Sequence, residues 1–257
     1  MNLINEKFEF ENDKKGKNGT VLIIGGSAMY TGAPYFSGLS ALRTGADLVY
    51  IFTDNNAVIP LKVLLPEAIV TELSYEEWIL ERVDICIFGT GLGRPSQSQK
   101  CVIRSILQFL HQKNKKIIID GDGIKLSNEL DMFDFKNIIF TPNQKENKHV
   151  PPLKSNQYLI KKGEHDVIQS KDKTINVEEE TCDKRVGGQG DILVGILATL
   201  LIKVKDKESE ENIFLCLKIA VVILRTAGKK AFDSKGRSLI TRDILDALSE
   251  CLKDLNF

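Results

Sequence analysis

Five short, continuously apolar segments separated by helical patterns constrain the fold of this chain most. They are residues 21–24, 48–52, 85–88, 117–119 and 138–140. A half-exposed strand alternates apolar and polar residues, whereas a strand covered by helices on both faces is apolar throughout. The segments therefore predict an α/β fold, in which a mostly parallel central sheet lies between two layers of helices.

Local signals place helices between these strands. The pattern over residues 34–44 predicts a helix that Gly45 ends in a left-handed conformation. Ser96 is placed to cap a second amphipathic helix, and Ser74 with Glu77 has the spacing of a capping box. Both caps would precede helices that return the chain to the sheet.

The pattern changes after Asn143. Residues 143–157 are expected to form an irregular connection because they are polar and contain two prolines. Three short strands that form a partly antiparallel edge are predicted at 158–160, 167–170 and 174–177, followed by helices at 191–202, 212–232 and 242–252. Thr241 is placed to cap the last helix. We expect one domain over residues 1–257.

Composition excludes several classes of protein. The 257 residues are 42% hydrophobic, which excludes general disorder, and 35 basic residues balance 35 acidic ones, which leaves no net field for nucleic acid. The five cysteines have no disulfide or zinc spacing. No segment predicts a membrane span, and residues 1–17 lack a targeting pattern. A cytoplasmic protein is expected.

A glycine-rich segment before an apolar helix is the strongest chemical signal. Gly187, Gly188, Gln189 and Gly190 precede Asp191, so bare backbone amides and a helix dipole could bind an anion. Asp191 would then stand where a base activates a hydroxyl toward a phosphoryl group. The same residues also suit an ordinary turn with positive φ and Asp191 as a helix cap.

Other polar and glycine-rich segments follow the predicted strands at residues 25–32, 89–94, 120–123 and 141–146. In parallel sheets ligands bind at this edge, so together these turns could wall a nucleotide cleft. The first of them matches neither a dinucleotide fingerprint nor a P-loop. Lys162 begins a further turn that could face phosphate charge or simply close a hairpin.

These motifs, in this order, resemble the nucleotide-dependent NAD(P)H-hydrate dehydratases of the ribokinase-like superfamily. The matching segments are YTGAPYFS at 30–37, RTGADL at 43–48, GTGLGR at 89–94, DGDG at 120–123, TPN at 141–143, Lys162 with Gly163, and GGQGD at 187–191. The first segment separates this family from related kinases. After Asn143 the chain departs from the family, which has Glu and then Phe before a helix.

The resemblance implies a ribokinase-like three-layer sandwich and an ATP-dependent repair of hydrated NADH or NADPH. The ring hydroxyl is phosphorylated, phosphate is eliminated, and the reduced cofactor returns. Asp191 would be the base, with Gly188 and Gly190 stabilising the phosphoryl charge. The implied ATP contacts are Lys162, Gly163, Glu164, His165, Asp166, Cys182, Asp183, Lys184, Arg185, Val186, Gly187, Gly188, Gln189 and Gly190. The implied contacts of the hydrated cofactor are Gly91, Gly93, Asn143, Gln144, Lys145, Glu146, Asn147, Lys148, His149 and Asp191.

Mg²⁺ is expected to accompany the nucleotide, without an assigned ligand, and ATP is preferred to ADP as the donor. The other expected partners are small molecules and further copies of the chain, with no nucleic acid or membrane. Two alternatives stay open: a small-molecule kinase of the same superfamily, acting on a hydroxymethylpyrimidine or a sugar, and a nucleotide-binding module without turnover.

Overall fold

The computed structural model describes residues 6–10 and 16–254. The strands in these ranges are β1 (Thr20–Ile24), β2 (Leu48–Thr53), β3 (Ile69–Glu72), β4 (Ile85–Phe88), β5 (Lys116–Ile119), β6 (Ile138–Phe140), β7 (Gln157–Lys161), β8 (Asp166–Gln169) and β9 (Thr174–Val177). The helices are α1 (Gly32–Thr44), α2 (Asn55–Leu64), α3 (Glu77–Leu80), α4 (Gln97–Gln112), α5 (Asp122–Glu129), α6 (Gln189–Lys203), α7 (Glu210–Lys235) and α8 (Thr241–Asp254). Short 3₁₀ turns lie at Glu146–His149 and Gly236–Ser238.

The strands form a single sheet in the order β3-β2-β1-β4-β5-β6-β7-β8-β9. Neighbours from β3 through β7 are parallel, while β8 pairs antiparallel with both β7 and β9. The predicted parallel sheet with an antiparallel edge is thus confirmed. Because β1 and β4 to β7 all run the same way, the segments that follow them lie along one edge.

Helices cover both faces of this sheet. Val21 and Ile23 of β1 pack in a core with α1, α2, α6, α7 and α8, whereas Leu22 and Ile24 pack in a second core with α3, α4 and α5. All four side chains are fully buried. Burial on both faces explains why β1 is apolar at every position, and the predicted three-layer α/β/α sandwich is confirmed.

The predicted helix ends meet different outcomes. As predicted, Gly45 ends α1, at a φ of 109°, and Ser96 caps α4. The structure adds that Ser96 does so in a capping box with Gln99. The capping box at Ser74 is wrong. The Ser74 hydroxyl instead bonds the Glu72 carbonyl and the Glu76 carboxylate, and no side chain caps α3. No described helix is both long and apolar enough to cross a membrane.

Helices α1 and α6 are in close contact. Helix α1 begins at the end of the first glycine-rich segment, and α6 begins in the last one. A Cβ on Gly195 of α6 would lie 2.0 Å from the Ser40 hydroxyl oxygen and 2.3 Å from the Ser37 carbonyl oxygen. The Thr199 hydroxyl, one turn further along α6, donates to the Ala41 carbonyl at 3.0 Å. Glycine is needed at position 195 because the two backbones almost touch.

Replacing Gly195 by alanine is expected to lower the free energy of unfolding by about 1–3 kcal/mol or more, because the added methyl group pushes α1 and α6 apart. Urea denaturation followed by circular dichroism measures this change. Gly32→Ala is the matched control, since its Cβ would meet only a Phe36 ring carbon at 3.6 Å. Equal stability of the two variants would contradict this packing argument.

Candidate functional site

The start of α6 lies over the sheet edge formed by the carboxyl ends of β5 to β7. A Cβ placed on Gly190 would be 2.8 Å from the Lys162 ammonium nitrogen and 3.7 Å from an Asp120 carboxylate oxygen. Asp120 directly follows β5, and Lys162 directly follows β7. Glycine at position 190 therefore lets the helix start touch two charged groups of the sheet edge.

The loop that opens α6 is held by neighbouring helices. Gly188 has a φ of 98°, and a Cβ there would lie 2.8 Å from Thr241 and 2.9 Å from Phe36. The Thr241 hydroxyl donates to the Gly187 carbonyl. Thr241 thus anchors the glycine loop instead of capping α8, so the predicted cap is wrong, while the predicted positive φ is found at Gly188.

The first backbone amides of α6 are free. Within the described chain, the N–H groups of Gln189, Gly190 and Asp191 donate to no other residue, and the ladder begins with Ile192 N–H bonded to the Gly188 carbonyl at 3.1 Å. These amides carry the positive end of the helix dipole. The arrangement can bind an anion such as a phosphate.

An ion pair lies beneath these amides. The Lys162 ammonium is 2.6 Å from Oδ1 of Asp120, and the Thr141 hydroxyl donates to the same oxygen at 2.7 Å. Asp120 is only 5% exposed. Burial alone would lower the pKa of Lys162, but the charge and hydrogen bond of Asp120 outweigh it and raise that pKa. Lys162 therefore keeps its positive charge.

Asp191 is in a different electrostatic environment. Its pKa is raised to about 7, first by burial and then by the negative charges of Asp120 and Glu146, while Lys162 acts in the opposite direction. A carboxyl group with a pKa near neutrality can accept a proton and return it under physiological conditions. Asp191 can therefore exchange a proton near neutral pH.

A cavity of about 120 Å³ opens between α6, α7 and the β7–β8 turn. It is lined by Lys162, Gly163, Asp166, Thr181, Cys182, Arg185, Gln189, Gly190, Leu193, Val221, Leu224 and Arg225. Leu193, Val221 and Leu224 make part of its lining apolar, and the Lys162 ammonium lies beside Gly190. A flat, apolar group with a charged tail, such as a nucleotide, fits this distribution.

Arg225 is a functional candidate that the sequence reasoning missed. It is 5% exposed, and its guanidinium donates to Oδ2 of Asp166 and to the carbonyls of Glu164 and Glu179, each at 2.7 Å. These bonds fix the β7–β8 turn beside the cavity. The sequence signal that indicates Arg225 is a charged residue within an otherwise apolar stretch of α7.

Half of the fourteen residues predicted to contact ATP line this cavity. These seven are Lys162, Gly163, Asp166, Cys182, Arg185, Gln189 and Gly190. Glu164, His165, Asp183 and Gly187 are exposed, and Val186 packs against the core. The Lys184 ammonium donates to the carbonyls of Arg237 and Leu239 at 2.6 and 2.7 Å, so it anchors the chain there. The hairpin interpretation also holds, because residues 162–165 join β7 to β8.

Apart from Asp191 at the start of α6, the residues predicted to contact the hydrated cofactor lie on two turns of the same edge. Gly93 N–H donates to Asp122 at 2.8 Å, and the Gly91 carbonyl accepts from the Ser27 hydroxyl at 3.1 Å. Gln144, Lys145, Asn147 and Lys148 belong to the second turn, residues 143–149.

The second turn is compact. Asn143 Oδ1 accepts from the amides of Lys145 and Glu146, and the Glu146 carboxylate accepts from the Asn143 amide at 2.9 Å. Asn128 of α5 donates to the His149 carbonyl at 2.7 Å. Glu146 is thereby placed near enough to Asp191 to raise the pKa of its carboxyl group.

Comparison with known sequences gives a consistent result. A sequence model of the NAD(P)H-hydrate dehydratase family matches residues 21–250. A relative from Entamoeba histolytica, named ATP-dependent (S)-NAD(P)H-hydrate dehydratase, is 36% identical over 91% of this chain and 86% of its own length. A relative of the same name from Dictyostelium discoideum is 30% identical over 94% of this chain and 92% of its own length.

Solved structures share the fold. A ribokinase-like superfamily protein from Enterococcus faecalis superposes with a TM-score of 0.80 at 25% identity, covering 97% of this chain and 92% of its own. The ADP/ATP-dependent NAD(P)H-hydrate dehydratase from Bacillus subtilis, co-crystallised with ATP and Mg²⁺, has a TM-score of 0.76 at 19% identity, covering 98% and 96%. With the family match extending over most of the sequence, these comparisons show that the chain belongs to the NAD(P)H-hydrate dehydratase family.

Proposed function

We propose that this chain is an ATP-dependent (S)-NAD(P)H-hydrate dehydratase, which uses ATP to return hydrated NADH or NADPH to the reduced cofactor. The relatives described above carry that name. The observation that carries the proposal is the position of Asp191, whose carboxyl pKa is raised to about 7 beside free amides of a helix start. A base and an anion site thus adjoin each other.

The nucleotide is proposed to occupy the cavity between α6 and α7. Its base would contact the apolar wall of Leu193, Val221 and Leu224, and its phosphates would extend toward Gly190. There the amides of residues 189–191, the Lys162 ammonium and the Arg185 guanidinium offer donors to phosphate oxygens. The terminal phosphoryl group would then lie next to Asp191.

Asp191 is proposed to take the proton from the ring hydroxyl of the hydrated cofactor. The hydroxyl oxygen then bonds to the terminal phosphorus, and the bond from that phosphorus to the rest of the nucleotide breaks. The free amides stabilise the charge that develops on the transferred group. The adjacent ring carbon then loses a proton, and its C–H electrons form the ring double bond. The carbon–oxygen bond breaks to release inorganic phosphate, so the products are ADP, phosphate, a proton and the reduced cofactor.

The donor set fits a Mg²⁺ ion that the nucleotide itself helps to bind. Among the described residues no group of three His, Cys, Asp or Glu side chains could hold a metal. Mg²⁺ bound to a nucleotide needs only one or two carboxylates, since phosphates and waters complete its shell. The ion would neutralise phosphate charge during transfer.

The test of the proposal is incubation with hydrated NADH or NADPH, ATP and Mg²⁺. Recovery of the reduced-nicotinamide absorbance, with one phosphate and one ADP released per cofactor, is the expected result. A stable phosphorylated product without recovery of absorbance would instead show a small-molecule kinase. Nucleotide binding without turnover would show a binding module.

Asp191→Asn is expected to lower kcat by roughly 10²- to 10⁴-fold, because the amide cannot accept the hydroxyl proton. ATP binding, measured by calorimetry, is expected to persist, since the free amides and Lys162 remain. Asp172→Asn, an exposed residue of the β8–β9 turn, is the control and should match the wild type. A near-normal rate for Asp191→Asn would contradict its role as base.

Activity is expected to fall as the pH drops below about 7, because protonation of the Asp191 carboxyl group removes the base. Glu146→Gln removes a negative charge that raises this pKa, so the acidic limb of the kcat/KM profile should move to lower pH. Gln can still accept from the Asn143 amide, which preserves the turn. Glu67→Gln is the control, and an unmoved limb in Glu146→Gln would show that Glu146 does not act on the titrating group.

A further inference from the structure

A buried ion pair lies beside the ATP cavity, between Arg225 of α7 and Asp166 of β8. The side chains are only 6% and 12% exposed, and Nε of Arg225 is 2.7 Å from Oδ2 of Asp166. A buried ion pair adds little to folding stability compared with well-packed apolar residues, because desolvation costs about as much as the charges gain. The pair is therefore better explained by the conformation that it fixes.

Arg225 donates to two segments that are separate along the chain. The first is the β7–β8 turn, residues 162–165, in which the Glu164 carbonyl accepts from Nη2 at 2.7 Å. The second connects β9 with α6, residues 178–188, and its Glu179 carbonyl accepts from Nη1 at 2.7 Å. The pairing of β8 with β9 ends where both segments begin, so Arg225 holds them at the point where the sheet ends.

Asp166 extends this network into the first segment. One of its carboxylate oxygens accepts from Arg225, and the other accepts from the Gly163 amide at 2.9 Å. The Gly163 carbonyl also accepts from Arg225, at 3.4 Å. Both polar groups of the Gly163 backbone are thus used, which holds the turn in one conformation next to Lys162.

The second segment leads from Glu179 to the glycine-rich loop that opens α6. Cys182 packs on α7 opposite Gly228, about one turn beyond Arg225, where a Cβ would lie 3.5 Å from the Cys182 sulfur. The Cys182 thiol donates to the Lys184 carbonyl at 2.9 Å. Lys184 in turn donates to two carbonyls after α7. These contacts fix the path of the chain up to the loop.

Both segments line the ATP cavity. The lining residues on or next to them are Lys162, Gly163, Asp166, Thr181, Cys182 and Arg185. A ligand that binds between two mobile segments loses affinity because binding must order them, and this loss disappears when they are already fixed. Arg225 fixes both through their backbone, so it determines the shape of the cavity.

We propose that Arg225 is a positioning residue for ATP, which holds the β7–β8 turn and residues 178–188 in the ATP-binding conformation before ATP binds. The inference rests on the proposed function, because it takes ATP as the occupant of the cavity. Without the guanidinium, the two segments adopt several conformations, and only one of them binds ATP. Arg225 therefore acts on ATP affinity and not on proton transfer at Asp191.

Arg225→Lys tests the proposal. Lysine keeps a charge for Asp166, but its single ammonium lacks the planar fork that reaches carbonyls of both segments. If the ATP-binding conformation then makes up about 1–10% of the population, the affinity for a non-hydrolysable ATP analogue falls roughly 10- to 100-fold. Calorimetry measures this change. The KM for ATP is expected to rise with it, while kcat at saturating ATP and the KM for the hydrated cofactor stay within a few-fold.

Lys229→Ala is the matched control. Lys229 also connects α7 with the second segment, through an ion pair with Glu180, but both side chains are well exposed and the bond reaches a side chain instead of the backbone. Exposed pairs contribute little, so the affinity for the analogue should match the wild type. Equal affinities of Arg225→Lys and Lys229→Ala would overturn the proposal. An equal rise in both KM values of Arg225→Lys would also overturn it, since it would show a general loosening of the protein.

Hydrogen exchange distinguishes positioning from a loss of stability. In the wild type without nucleotide, the Gly163 amide is expected to exchange slowly, because it donates to Asp166 in a turn that is already fixed. In Arg225→Lys this amide should exchange faster until the analogue is added, while the amides of the central strand β1 stay protected. Rapid exchange at Gly163 in the nucleotide-free wild type would overturn the proposal even if the variant does not fold.

Analogue binding also separates this inference from the proposed function. Weaker binding to Arg225→Lys than to the wild type, in a protein without dehydratase turnover, would support the positioning role while the proposed function fails. Dehydratase turnover with unchanged analogue affinity and unchanged KM for ATP in Arg225→Lys would overturn the positioning role alone. A wild-type protein that does not bind the analogue would overturn both.

Discussion

The contact between the start of α6 and the Lys162–Asp120 ion pair is the interaction on which the rest of the site depends. It brings the free helix amides, a permanent cation and the Asp191 carboxyl group to one point. Asp120 acts on both charged groups. It keeps Lys162 charged and, after burial itself, raises the pKa of Asp191, so one buried carboxylate contributes to the charge state of both neighbours.

Three glycines make this contact possible. Gly195 lets α6 lie against α1, Gly188 takes the positive φ that starts α6 beneath Phe36, and Gly190 leaves room for the Lys162 ammonium. A side chain at any of these positions would lift the amides away from the sheet edge. The local conformation and the chemistry are therefore constrained by the same residues.

Much of the fold followed from the sequence because burial on both faces leaves a strong apolar signal, as in β1 and β4. Weakly buried elements gave no such signal. β3 is a short edge strand in which Ile69 is 45% exposed, and α2 contains Pro60, a residue that disfavours helix interiors. α5 begins in a segment that resembles an ordinary glycine turn. These three elements were not predicted, since propensity and periodicity are both weak there.

The sequence by itself determined the layered fold, the family resemblance and the candidate base, because glycine runs, strand patterns and motif order are local properties of the chain. Only the tertiary structure decided that Asp120 pairs with Lys162, that Arg225 fixes the β7–β8 turn, and that Lys184 anchors a turn through the carbonyls of Arg237 and Leu239. The physical reason is distance: these partners lie tens of residues apart. Their charges interact only after the parallel strands have brought their carboxyl ends to one edge.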